Sequence, residues 1–93
     1  MKKYEFQIRI KVLNEEPLFK YVKGIRNAYE TLTLDIEFNV RVCLLFDMAL
    51  TEYRIPTLKE IREVALNGTT EHYNIVTYDG TTVVEFTISL FNK

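Results

Sequence analysis

The sequence contains one histidine and one cysteine, the side chains that most often act as a general base or a nucleophile. His72 falls at the start of a predicted strand, on its polar side, where a solvated surface histidine is typical. Cys43 precedes two leucines, and a free cysteine in an apolar stretch usually packs as a small core side chain. Nothing in the spacing couples these two residues. We therefore predict no catalytic residues and no enzyme, and a minimal enzyme built on His72 and carboxylates is a third hypothesis.

Metal and cofactor sites need ligands at organised spacings, and the sequence offers only scattered oxygen donors. Asp35 and Glu37 share one side of a predicted strand, and Glu60 and Glu63 share one face of a predicted helix. Surface charge explains both pairs. The three glycines lie far apart, at Gly24, Gly68 and Gly80. Because phosphate-cradling loops require clustered glycines, we predict no nucleotide cofactor. Because the oxygen donors are scattered, we also predict no metal.

Basic and aromatic side chains on the polar sides of predicted strands form the best candidate binding site. These residues are Lys3, Arg9, Lys11 and Tyr78. Such mixtures serve as stacking platforms for nucleic acids, provided that the strands are neighbours. The same face carries acidic residues that would repel phosphates, namely Glu5, Asp35, Glu37 and Glu85. Nucleic-acid binding on the open face of the sheet is therefore an alternative function.

Length and composition indicate one globular domain over residues 1–93. The chain has 93 residues, of which 47% are hydrophobic and 27% charged, ordinary values for a folded protein. The net charge of −1 provides no general attraction to nucleic acid or to an anionic membrane. A single cysteine allows no internal disulfide, and neither a leader nor a membrane-spanning run is evident. We expect a cytoplasmic protein.

Residues 3–12 alternate strictly between polar and apolar, which predicts a strand with one buried face. Apolar residues at spacings of three and four then predict a helix over about 16–30, with Gly24 in its middle. A strand pairing through Lys23 and Gly24 is the alternative for this segment. From 32 to 38 the alternation returns and predicts a second strand.

The apolar stretch from Val40 to Leu50 fits two patterns. Its alternation continues that of the preceding strand, but a straight strand of that length would exceed the diameter of a domain of this size. Helical spacing favours a helix over roughly 41–53, which Asn39 could cap. In either case we expect the stretch to lie in the core or in a subunit interface.

The second half of the chain carries the clearest local signals. Thr57 and Glu60 have the spacing of a capping box, and Asn67-Gly68 marks the end of the helix that they begin. After this helix the sequence predicts a β-hairpin with a two-residue type I′ turn at Asp79-Gly80.

The predicted hairpin has a definite register. Placing Tyr78 opposite Thr81 sets Ile75 against Val84 and Tyr73 against Phe86 on the core side. Together the elements predict an α+β fold, in which a four-stranded, mostly antiparallel or mixed sheet carries two to three helices on one face.

A surplus of aromatic residues suggests a binding role. Six tyrosines and six phenylalanines exceed what one small core obviously needs, and tyrosine is enriched at protein interfaces. A long final strand over 82–91 could lie at a sheet edge and pair with another chain. We therefore predict a non-enzymatic protein-binding module, either a homodimer or a small inhibitor or adaptor of the kind that phages and mobile elements encode.

Overall fold

A computed structural model describes residues 4–92, without the side chains of Thr51 and Asn92. Five strands and two helices follow one another along the chain: β1 (Glu5–Val12), β2 (Leu18–Lys23), α1 (Ile25–Leu45), β3 (Leu50–Glu52), α2 (Leu58–Asn67), β4 (Glu71–Thr77) and β5 (Thr82–Asn92). The α+β class predicted from the sequence is confirmed.

All strands join one open sheet in the order β2-β1-β5-β4-β3, and each neighbouring pair is antiparallel. The sheet has four longer strands and the three-residue β3. The final strand β5 lies between β1 and β4, so the prediction that it forms an edge is wrong. The described edges are β2 on one side and β3 on the other.

Helix α1 covers one face of the sheet with side chains spaced three or four residues apart. The buried ones are Ala28, Leu32, Ile36, Val40 and Cys43. The strand predicted over 32–38 is therefore wrong. Leu32, Leu34, Ile36 and Phe38 alternate in sequence, but on a helix they divide between two opposite faces. Leu32 and Ile36 are buried, whereas Leu34 and Phe38 are exposed.

The segment predicted as a helix over 16–30 divides at Gly24. Residues 18–23 form β2, which pairs with β1, and α1 begins at Ile25. Gly24 has φ +94°, a conformation that glycine adopts readily, and its amide donates to the Tyr4 carbonyl at 2.8 Å. The alternative of a strand running up to Gly24 is therefore the correct one.

The helix predicted over 41–53 is only partly present. Helix α1 ends at Leu45, a turn with Asp47 at φ 58° follows, and β3 begins at Leu50. Asn39 does not cap a helix but lies within α1, where its side-chain amide donates to the Asp35 carbonyl. Part of the stretch, including Val40 and Cys43, lies in the core.

Helix α2 confirms the capping box. The Glu60 amide donates to Thr57 Oγ1 at 3.2 Å, and the Thr57 amide donates to Glu60 Oε1 at 2.9 Å. Gly68 closes the helix in the left-handed conformation. The inward residues Ile61, Val64 and Ala65 join the common core, and α2 contacts both α1 and β5.

The β4–β5 hairpin keeps the predicted core register but has a different turn. Ile75 pairs with Val84, and Tyr73 pairs with Phe86, as expected. A type I′ turn needs positive φ at both central residues, whereas only Gly80 has it here. The Thr77 amide instead donates to the Thr81 carbonyl, so the loop contains three residues, 78–80. A register shift between Ile75 and Val76 brings Ile75 opposite Val84 despite the longer loop.

Candidate protein-binding edge

The predicted binding residues do not all meet. Lys3 lies outside the described residues. Arg9 and Lys11 both lie on the open face of β1, opposite Thr87 and Glu85 of β5. Tyr78 lies at the β4–β5 turn, and β5 separates its strand from β1. The structure therefore places Arg9 and Lys11 on one surface and Tyr78 elsewhere.

Opposite charges face each other on the open side of the sheet. Lys11 pairs in register with Glu85, and Glu5 pairs with Lys23 of β2. Cross-strand neighbours of opposite charge stabilise each other and reduce the field available to a ligand. Arg9 faces neutral side chains, Phe19 on one side and Thr87 on the other. Among the described residues of this face, two of the basic side chains, Lys11 and Lys23, are thus paired in register with carboxylates, and Arg9 is not.

Strand β2 presents main-chain groups at the edge of the sheet. The Gly24 amide donates to the carbonyl of Tyr4, which directly precedes β1. In antiparallel strands, such hydrogen-bonded pairs recur at every second residue. Val22, Lys20 and Leu18 therefore direct their main-chain groups toward β1. The alternate residues of β2 are Phe19, Tyr21 and Lys23. Their N–H and C=O groups point away from the sheet, where the structure describes no further strand.

The opposite ladder of β1 supports this assignment. The Leu13 amide donates to the Val83 carbonyl at 2.9 Å, so the odd-numbered residues of β1 bond to β5. Its even-numbered residues are left for β2. The Lys23 carbonyl accepts a hydrogen bond from the Asn27 side chain at 3.1 Å. This bond is consistent with a carbonyl that does not bond to β1.

Aromatic side chains flank this edge on the open face. The Tyr21 and Phe91 rings meet edge to face with centroids 4.7 Å apart. Gln7 Nε2 donates to the Tyr21 hydroxyl at 3.2 Å, which fixes the ring position. Phe19 is 43% exposed, Tyr21 53% and Phe91 56%. These three residues form what we call the aromatic corner.

Apolar side chains also flank the edge on the helix side. A shallow groove of about 290 Å³ runs between α1 and the strands, and Val12, Leu18 and Phe38 contribute to its lining. Leu18 is 57% exposed and Phe38 65%. At its rim, Lys20 Nζ lies 2.9 Å from the Asp35 carboxylate. The edge strand therefore has exposed apolar side chains on both faces of the sheet.

A separate cluster of charged residues joins α2 to β4. The Arg54 guanidinium lies 4.2 Å from the Tyr73 ring centroid and 2.7 Å from Glu60. Burial opposes ionisation of Glu60, but the Thr57 amide and Arg54 outweigh it and lower the pKa of this carboxyl. Arg54 also approaches Glu71 at 3.6 Å. These contacts connect two elements of the fold through the segment that carries Arg54.

The side chains first considered for catalysis lie apart. Cys43 is buried on the core face of α1, and burial raises the pKa of its thiol. His72 is exposed on β4, where its Nδ1 lies 3.3 Å from the Thr87 hydroxyl. Among the described residues, no three histidine, cysteine or acidic side chains are grouped to hold a metal ion. Neither described helix is both long and apolar enough to cross a bilayer.

The sequence interpretation missed β2 as an edge. A signal was present, because Phe19, Tyr21 and Val22 favour strands and a strand through Lys23 was an open alternative. Comparison with known proteins adds no identification, since the chain matches no family model, no curated protein and no solved structure.

Proposed function

We propose that this chain is a non-enzymatic protein-binding module, a small inhibitor or adaptor, and that its partner adds a strand to β2. The observation that carries the proposal is the main-chain edge of β2 with exposed apolar groups on both sides. In strand addition, main-chain hydrogen bonds supply affinity, and alternate side chains supply specificity.

The side chains beside β2 are of the types that dominate protein interfaces. Tyrosine, phenylalanine and arginine are enriched there, and a few such residues usually carry most of the binding energy. Tyr21, Phe19 and Arg9 are neighbours on the open face. Leu18 and Phe38 offer an apolar counterpart on the helix side.

The two described edges differ in how they limit pairing with other chains. Proteins commonly keep edge strands short or place charges on them. The β3 edge follows this rule with three residues, and a register shift interrupts it. The β2 edge has six residues and two lysines, of which Lys20 is held in an ion pair with Asp35 and Lys23 pairs in register with Glu5 of β1. A partner strand therefore finds β2 more accessible than β3.

Site-specific photocrosslinking in the cells of origin tests this proposal. A benzoylphenylalanine at position 19 should give defined protein adducts. The matched control carries the same probe at position 78, which is also an exposed aromatic site but is remote from β2. Tyr21→Pro removes an outward N–H without breaking the β1 ladder, because proline is tolerated at such edge positions. We expect Tyr21→Pro to abolish the position-19 adducts, and Tyr21→Thr to retain part of them.

Adducts of equal yield from positions 19 and 78 would show that contact is not specific to the edge. Persistence of the position-19 adducts in the Tyr21→Pro protein would also contradict strand addition. Circular dichroism of each variant confirms that the fold is intact before adducts are compared.

A further inference from the structure

We infer that the strand that occupies the β2 edge is β2 of a second copy, paired antiparallel about a two-fold axis that passes beside Tyr21. The result is a continuous ten-stranded sheet. This inference rests on the proposed function, because it uses the same edge and names its partner.

Hydrogen-bond geometry restricts how two β2 strands pair. Only Phe19, Tyr21 and Lys23 direct main-chain groups outward, so these residues must face one another across the dimer. Directly opposed residues in antiparallel strands lie on the same face of the sheet. The open faces of both copies therefore join into one surface, and both α1 helices lie on the other side.

Two registers satisfy this restriction and overlap over five strand residues. Centring on Tyr21 sets Tyr21 against itself and Phe19 against Lys23 twice, which gives three pairs that can exchange main-chain bonds. The Lys23 carbonyl already accepts from the Asn27 side chain and accepts the inter-copy bond with its second lone pair. Centring on Lys20 sets Phe19 against Tyr21 and extends to Lys23 against Pro17, which has no amide hydrogen. The Tyr21 register therefore satisfies more of the edge.

Charge selects the same register. Centring on Lys20 places the two Lys20 side chains directly opposite each other, which is destabilising. Centring on Tyr21 places Lys20 beside Val22, and Asp35 of the same copy remains 2.9 Å from the Lys20 ammonium. Lys23 then lies beside the Phe19 ring of the second copy, a favourable pairing of a cation with an aromatic ring.

The helix side also accommodates this register. Leu18 faces Gly24 of the second copy, where the absence of a side chain leaves room for the exposed leucine. Because only five strand residues of each copy pair, we expect an interface smaller than the standard ~800 Å² per partner and a dissociation constant of about 1–100 μM.

Disulfide trapping tests the register. Tyr21→Cys, in a Cys43→Ala background, places two thiols at paired positions whose Cα atoms are ~5.5 Å apart, within the range for a disulfide. With oxidised glutathione as the electron acceptor, we expect a covalent dimer of twice 11.0 kDa. Phe19→Cys in the same background is the matched control and should form little covalent dimer, because position 19 faces Lys23 and not the second thiol.

Light scattering of the natural sequence gives a test that does not depend on the Cys43 replacement. We expect the mass to rise from one copy toward two as the concentration passes through the micromolar range, and Tyr21→Pro to abolish the rise. Equal trapping at positions 19 and 21 would overturn the register. A monomer at every concentration would overturn self-pairing. In that case position-19 adducts with another protein would leave the proposed function standing, and a lack of adducts would remove both.

Discussion

Tyr73 combines a buried ring with a strongly shifted hydroxyl pKa. It is 1% exposed, and no hydrogen-bond partner for its hydroxyl is found among the described residues. Burial, reinforced by the Glu60 carboxylate and opposed by Arg54, raises the pKa of Tyr73 to about 12. A buried hydroxyl without a hydrogen bond of good geometry adds little stability, so this tyrosine stabilises the fold mainly through its ring.

Tyr73→Phe should therefore be neutral or stabilising at pH 7, by up to ~1 kcal/mol. Above pH 10 the unfolded chain loses the tyrosine proton while the folded chain keeps it until about pH 12, so the stability of the natural sequence falls through this window. Between pH 8 and 11 the natural sequence should lose ~1.4 kcal/mol more than the phenylalanine variant. Urea denaturation at both pH values measures this difference, and equal losses in the two proteins would contradict the buried assignment.

At the scale of elements, helix α2 depends on a local contact at its first turn. Thr57 and Glu60 satisfy each other's main-chain amides, and Glu60 also binds Arg54. Thr57→Ala should cost about 1 kcal/mol of the free energy of unfolding, because it leaves a helical amide without its acceptor. Thr57→Ser keeps the hydroxyl and should retain most of the stability. An alanine variant as stable as the serine variant in urea denaturation would contradict this role.

The elements that were predictable from the sequence are those set by local patterns. β1, α2 and the hairpin register each depend on alternation, a cap or a glycine within a short span. The region 16–45 was not predictable in the same way. Helix α1 carries apolar residues on an exposed face as well as on its buried face, so the sequence from Leu32 to Phe38 alternates as a strand would. β2 is partly exposed on both faces, so its sequence lacks the contrast that marks a half-buried strand.

The candidate site depends on strand order, which local patterns do not determine. Arg9 and Lys11 were correctly expected on a polar strand face. Their separation from Tyr78 follows from the position of β5 between β1 and β4. That β2 lies at an edge also follows from long-range pairing, and the binding surface that we propose could not be located without it.

At the scale of the whole molecule, many large apolar side chains outside the core are exposed to solvent. The outer face of α1 carries Leu34 and Phe38, both more than 60% exposed, and Leu45 at 81%. This face continues into the groove beside Leu18. Exposed apolar surface beside an edge strand, as seen in the described residues, supports our proposal that β2 binds another polypeptide.

The central claim is that the β2 edge receives a partner strand, and amide hydrogen exchange followed by NMR tests it most directly. In dilute protein, the amides of Lys20 and Val22 should be protected, while those of Phe19, Tyr21 and Lys23 exchange quickly. At high protein concentration, or with a partner captured through position 19, exchange of the three outward amides should slow at least tenfold, on the order expected for newly formed strand bonds. Outward amides that stay fast under both conditions would contradict the account.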